Sequence, residues 1–320
     1  MNKKKIGIIA GIAVVLTGGL FATQFLNKDN SAEGEERQTV SIVHDGGTTE
    51  VPVNPEKVVT LNYASLDILE ELGLKDKVIG TAKGSIPSYL DEYAGEDVTD
   101  IGGLKEFNIE TINELQPDLI IIEGRQSESY DELQAIAPTI QLGSSSEDFV
   151  GSVERNVLAL GKIFGVETEA EKKVEDVKER INAVKDQVES QNLDGLAMMV
   201  TDGSMSVYGE GSRYALLFDG FGFKASDSEI EVSNHGQSIT YEYLMAKNPG
   251  YLFVVDKSNA IGATEEPVAA KAILDNDIVK GTETYKNGNI VYLNGPAWYT
   301  GGAGLKAVDM MIADIENILK

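Results

Sequence analysis

The chain has no cysteine. It therefore has no disulfide, no thiolate metal site and no thiol nucleophile. Its only histidines are His44 and His235, which excludes a metal centre built on several imidazoles, the kind that captures zinc or manganese. Basic residues are scarce: 27 Lys and Arg stand against 52 Asp and Glu, a net charge of −25. Nucleic acid, whose phosphates need a basic footprint, is excluded as a partner. There is no G-x-S-x-G nucleophile turn. Tryptophan occurs once, at Trp298.

What is present fits an exported two-lobed body. The 320 residues, 42 % of them hydrophobic, are enough for two domains with cores of their own. Lys3, Lys4 and Lys5 precede an apolar run from Ile6 to about Leu26, which predicts a signal or membrane-anchor segment over 1–26 with the body outside the cytoplasm. Residues 27–37, rich in Asn, Asp, Ser, Gly and Glu, read as a flexible tether.

The body is organised around residues 168–191. Ala170, Val174, Val177, Ile181, Val184 and Val188 recur at steps of three and four among charged residues, which is one amphipathic helix of about 35 Å. Each flank alternates short apolar strands with helices. The predicted fold is α/β, with two Rossmann-like lobes built on central parallel sheets and joined by that single helix: a first lobe at 38–165, the bridge at 166–193 and a second lobe at 194–320. Asp45-Gly46-Gly47 predicts a hairpin between 38–43 and 48–53. Ser65 is the expected cap of the first helix and Asn108 of the next. Two packed helices at 149–164 and 168–191 make a stiff joint.

The two lobes match in one detail. A helix, Pro117, an apolar strand and Arg125 follow in order, and a helix, Pro249, an apolar strand and Lys257 do the same, each cation eight residues after its proline. Both then lie beyond the carboxyl end of equivalent strands, where open parallel sheets bind ligands. Lys83, Arg125, Arg213, Lys257, His235, Trp298 and Tyr299 are the residues expected to line the cleft. Cations with aromatics and without clustered carboxylates suit an anionic, partly aromatic ligand. Trp298 equally suits a core position at the seam between lobes.

These residues sit in segments that resemble a family. NPEKVVTL at 54–61, NELQPDLIII at 113–122, GRQSESY at 124–130, GSRYALLFDGFG at 211–222, HGQSITYEYL at 235–244, YLFVVD at 251–256 and AWYTGGAGL at 297–305 are similar to the substrate-binding proteins of iron–siderophore ABC importers, catecholate branch. The resemblance implies capture of a ferric catecholate of the petrobactin kind. The protein would act as a monomer at the outer face of the cytoplasmic membrane and deliver the ligand to a permease driven by an ATPase. It would have no intrinsic cofactor and no enzymatic activity. It assigns ligand contacts to Lys83, Arg125, Arg213 and Lys257, the last standing where relatives often carry Arg; lysine keeps the charge but loses the planar fork. It assigns His235 and Tyr299 to the open positions of siderophore-bound Fe(III), whereas the residues alone allow His235 a structural hydrogen bond instead. It assigns permease docking to Glu110 and, in the second lobe, to Asp227 or Glu229, of which Glu229 is the choice. Gram-positive members are usually lipoproteins, and this chain has no cysteine to acylate.

A haem-binding protein of the same fold is the nearest alternative, but Met1 is the only methionine before Met198, so the first lobe offers no Met ligand. An exported α/β enzyme is the alternative of another class. Its only motif is Gly302-x-Gly304-x-x-Ala307, a weak dinucleotide fingerprint separated by a long loop from its strand.

Overall fold

The computed structural model describes residues 38–233, 235–264 and 266–320. The expected segments 1–26 and 27–37 lie outside them. Among the described residues no helix is long and apolar enough to cross a membrane.

Strands β1 (Thr39–His44) and β2 (Gly47–Pro52) pair antiparallel about the Asp45-Gly46-Gly47 turn. Five parallel strands follow, β3 (Val58–Thr60), β4 (Val78–Thr81), β5 (Thr99–Asp100), β6 (Leu119–Ile122) and β7 (Thr139–Gln141), in the order β5-β4-β3-β6-β7. Every residue of β3 and β6 is buried, as in a sheet covered on both faces. Helices α1 (Tyr63–Glu71), α2 (Ile109–Leu115) and α3 (Tyr130–Gln134) belong to this lobe. The strand order reverses between β3 and β6, which makes that crevice a topological switch point.

Helix α4 (Phe149–Phe164) stops at Gly165, whose φ of 68° is the left-handed conformation that glycine adopts without strain. The long helix α5 (Glu167–Gln191) starts two residues later. Beyond it lie β8 (Asp194–Thr201), β9 (Ser204–Tyr208), β10 (Lys224–Ala225), β11 (Gln237–Ser238), α6 (Tyr241–Lys247), β12 (Tyr251–Asp256), α7 (Lys257–Ala260), α8 (Val268–Leu274), α9 (Asp277–Lys280), α10 (Glu283–Lys286), β13 (Ile290–Tyr292) and α11 (Leu305–Ile318). Strands β8, β12 and β13 run parallel. Strand β9 is antiparallel to β8, because the tight Asp202-Gly203 turn joins them and a two-residue loop cannot make a parallel crossover.

Local chemistry shifts several expected elements. The cap of α1 is Asn62 and not Ser65: its side-chain oxygen accepts from the amides of Ala64 (2.9 Å) and Ser65 (3.3 Å). Leu216–Gly220 is a single wide π-turn, and the loop before α11 contains another, Pro296–Thr300. Asp256, the last residue of β12, caps α7 by accepting from Ser258 N.

Apolar alternation sorts the core into three. The outer face of the first sheet holds Val59, Leu61, Ile120 and Ile122, and the outer face of the second holds Leu196, Met198, Leu252 and Val254. The inner faces do not make separate cores. Val58 and Ile121 of one sheet, Ala197 and Phe253 of the other, the buried stripe Ala170, Val174, Ile181, Val184 and Val188 of α5, and Leu305, Val308 and Ile312 of α11 form one continuous cluster. On its polar side α5 pairs Lys173 with Glu71 of α1 (2.8 Å), and Arg180 with Asp309 and Glu316 of α11. Such partly exposed pairs are worth little individually, so the apolar stripe dominates.

Ile181→Ala should then lower stability by about 2–5 kcal/mol, the cost of a buried isoleucine. Urea unfolding followed by both circular dichroism and Trp298 emission should stay one coincident transition; two separated transitions would mean that the lobes do not share this core.

Candidate functional site

In the first lobe the carboxyl ends of β3, β4 and β6 lead into Tyr63, Lys83 and Arg125. Tyr63 opens α1, and its hydroxyl donates to Ala82 O at 3.0 Å. Burial pushes the phenol up; a hydrogen bond from Ser85 and the nearby Arg125 charge work against this, so these groups share one patch. Arg125 is exposed and ion-paired with Glu123, which closes β6 and caps the 3₁₀ turn Gly124–Ser129. Burial raises the Glu123 carboxyl while the Arg125 charge opposes it. The Lys83 ammonium donates to Gly95 O (2.7 Å) and Ala94 O (3.3 Å), carbonyls at the end of the 88–94 turn. Lys83 is thus partly committed to holding its own loop.

The matched cation of the second lobe follows the equivalent strand. Strand β12 lies between β8 and β13 as β6 lies between β3 and β7, and Asp256 closes it as Glu123 closes β6. Lys257, the first residue of α7, is half-buried, and α7 packs on the Pro296–Thr300 turn that carries Tyr299.

Arg213 and Tyr299 meet directly. The guanidinium lies 4.4 Å from the centre of the Tyr299 ring and 5.9 Å from that of Tyr214, and it donates to Tyr299 O at 3.3 Å. Tyr208, missed by the sequence reading, ties this group to the third member. Its hydroxyl donates to His235 O at 3.1 Å, and burial raises its phenol against the Arg213 charge and hydrogen bond. A Cβ at Gly236, whose φ is 71°, would stand 2.7 Å from the Tyr208 ring, so the His235-Gly236 turn is pressed onto that ring. The signal for Tyr208 was present: an aromatic at the end of a strand, just before Gly209.

The chain just past Tyr299 meets the helix that Tyr63 opens. Gly302, three residues past Tyr299, faces Ala64, which follows Tyr63; a Cβ there would lie 3.6 Å from that of Ala64. Tyr299, Arg213 and the His235 turn therefore stand together in one lobe, and Lys83 and Arg125 with Tyr63 in the other.

Two expectations are corrected. Trp298 is a core residue and not a ligand contact: it is 5 % exposed, lies against Tyr214 and Phe221, and donates its indole N–H to Asp314 of α11 at 2.9 Å. Asp227 is not a free docking carboxylate, since it is buried, accepts from Tyr243 Oη at 2.6 Å and pairs with Lys247 at 2.7 Å. Glu110, in the first turn of α2, and Glu229 are both exposed. Asp227→Asn should cost about 1–3 kcal/mol, the range for a buried charged hydrogen bond. Glu229→Gln should leave the urea midpoint in place, and equal effects of the two would refute the distinction.

The periplasmic binding protein family profile matches residues 58–297. The chain is 40 % identical over 298 residues to the petrobactin-binding protein YclQ of Bacillus subtilis, covering 92 % of this chain and 93 % of that one. It is 30 % identical to the ferric-anguibactin-binding protein FatB of Vibrio anguillarum, covering 86 % of each. The crystal structure of YclQ superposes with a TM-score of 0.84, covering 88 % of this chain and 99 % of that one. The catecholate-siderophore-binding protein VctP of Vibrio cholerae, 33 % identical, gives 0.82, covering 88 % and 100 %.

Proposed function

Because the chain belongs to the periplasmic binding protein family, we propose that it captures a ferric catecholate siderophore, petrobactin or a close analogue, between its lobes and delivers it to an ABC permease. Its relatives are substrate-binding proteins of iron uptake and not enzymes, which sets aside the reading as an exported enzyme. The iron arrives as part of the ligand and is no resident cofactor.

The observation that carries the reading is the stack of Arg213 on Tyr299, next to the His235 turn and across the seam from the Arg125 patch. A ferric catecholate is a compact oxygen anion with flat aromatic edges. Arginine forks bind the oxygens, and an aromatic ring holds the guanidinium face so that its edge N–H groups point outward. Lys257 supplies a point charge from the same lobe, and Lys83 does so from the other once it exchanges a carbonyl for the ligand. His235 and Tyr299 are nitrogen and phenolate donors suited to Fe(III), for a siderophore that leaves two coordination positions open. Trp298 plays no direct part.

Delivery needs an outer face that a permease can grip. Glu110 and Glu229, exposed carboxylates one to each lobe, are the proposed grips, and the hydrogen bond from Glu229 N to Asp227 Oδ1 (3.0 Å) fixes the second. The protein acts outside the cytoplasmic membrane as a monomer, with the N-terminal segment directing export or anchoring.

Ferric catecholate, ferric hydroxamate and haem, titrated separately, should quench Trp298 saturably at submicromolar concentration with the first alone. No saturable response to any catecholate would sink the assignment, and a response to haem alone would favour the haem-binding alternative. Arg125→Ala and Arg213→Ala should each weaken binding by about 1.5–3 kcal/mol, the worth of a charged hydrogen bond. Arg213→Lys, which keeps charge but not the stacked fork, should fall between wild type and alanine. Unchanged affinity in both alanine variants would move the site elsewhere.

A further inference from the structure

The segment Gly301-Gly302-Ala303-Gly304, left without a role as a nucleotide motif, packs closely on the first lobe. It joins Tyr299 to α11 of the second lobe and lies against α1 of the first. A Cβ at Gly301 would meet the Tyr89 hydroxyl at 2.6 Å, and one at Gly304 would meet Asp67 Cγ at 2.7 Å. The glycines leave room for these two side chains. Asp67, on α1 and fully buried, reaches across and accepts from the amides of Lys306 (2.7 Å) and Ala307 (2.9 Å) in the first turn of α11. The N-cap residue of α11, Gly304, has no side chain, so Asp67 satisfies N–H groups that a helix's own cap would otherwise take. Lys306 adds a second strap: its ammonium bonds Glu70 of α1 at 3.0 Å and Tyr89 O at 2.8 Å.

We infer that Asp67 is a positioning residue of the ligand cleft: by capping α11 across the lobe boundary it fixes the spacing at which Tyr299 and Arg213 face Lys83 and Arg125. The inference rests on the cleft reading above for its ligand, but the spacing itself does not depend on it. Three facts support it. The contact joins residues 67 and 307, which nothing but tertiary structure brings together. The strap begins two residues after Gly304, itself five residues after Tyr299, so little chain intervenes to absorb a shift. Burial pushes the Asp67 carboxyl up to about 7, with Glu71 and Glu70 adding and the two backbone N–H donors opposing. Tyr89, Tyr93 and Lys306 are the other ionisable groups that feel its charge, and Lys173 of α5 holds Glu71. A carboxyl kept at that desolvation cost in a seam is unusual for a residue that only fills space.

The test uses the absence of cysteine. Glu114→Cys on α2 and Lys286→Cys on α10, both exposed, place one spin label on each lobe, and the label-to-label distance distribution reads the lobe spacing without ligand. Asp67→Asn removes one acceptor. Gly304→Ala keeps the carboxylate and prises the same contact apart, and it serves alone should Asp67→Asn fail to fold. Both variants should broaden and shift the distribution and weaken ferric catecholate binding about tenfold, the worth of one charged hydrogen bond. An unchanged distribution in both would overturn the inference. So would a shifted distribution with wild-type affinity, since spacing would then not govern the site. If the wild type binds no ferric siderophore, the functional reading fails, and the distance distributions alone then decide whether Asp67 sets the lobe spacing.

Discussion

The apolar stripe of α5 is the constraint on which the rest depends. Two sheets that each buried both faces against their own helices would be free to swing on a linker. Here their inner faces share one core with α4, α5 and α11. Any large rotation of one lobe would expose part of that shared surface, at about 25 cal/mol for each Å² uncovered, so an opening of even a few hundred Å² costs several kcal/mol. Small shear within the packing is the motion that remains.

That stiffness bears on how an acidic protein holds an anion. With a net charge of −25 the long-range field repels such a ligand, although salt confines that repulsion to about 8 Å from each exposed charge. Attraction has to be local, and in the proposed site each cation is already held by the protein: Arg213 by the Tyr299 ring and carbonyl, Arg125 by Glu123, Lys83 by two carbonyls. Prior placement lowers the conformational entropy lost on binding, which matters most for long cationic side chains. It also carries a cost on that proposal, because Arg125 and Lys83 would partly exchange good partners for the ligand. Arg213 gives up least, since its ring contact can persist while its edge is used.

Much of this was legible in the sequence because it rests on local periodicity. The stripe of α5, the stop at Gly165, the cap at Asn108 and the run Leu119–Ile122 are each set by neighbours within a few residues, and each appears where the pattern predicts. The matched spacing from Pro117 to Arg125 and from Pro249 to Lys257 also survives, because equivalent strands put both cations at the same edge. What could not be read is set by distant contacts. Ser65 looked like a cap, yet Asn62 also donates to the carbonyl of Leu142, eighty residues away, and that tie favours it. Trp298 suited the cleft and the core equally on the sequence; its partner Asp314 lies on α11, and that bond accompanies the ring's burial in the core.

The Gly301–Gly304 segment shows why spacing alone misleads about mechanism. Glycines in a loop before a helix suit a phosphate when backbone N–H groups at the helix start face open space. Those of Lys306 and Ala307 are already taken by a carboxylate from the other lobe, so the anion at this helix start is part of the protein. The same feature that imitates a nucleotide site is thus a polar tie between α1 and α11. It lies beside the shared core, next to Leu305 and Ala307. In the proposed site, a ligand held by Tyr299 and Arg213 on one side and by Arg125 on the other would draw its affinity from a spacing that α5 limits and Asp67 is inferred to trim.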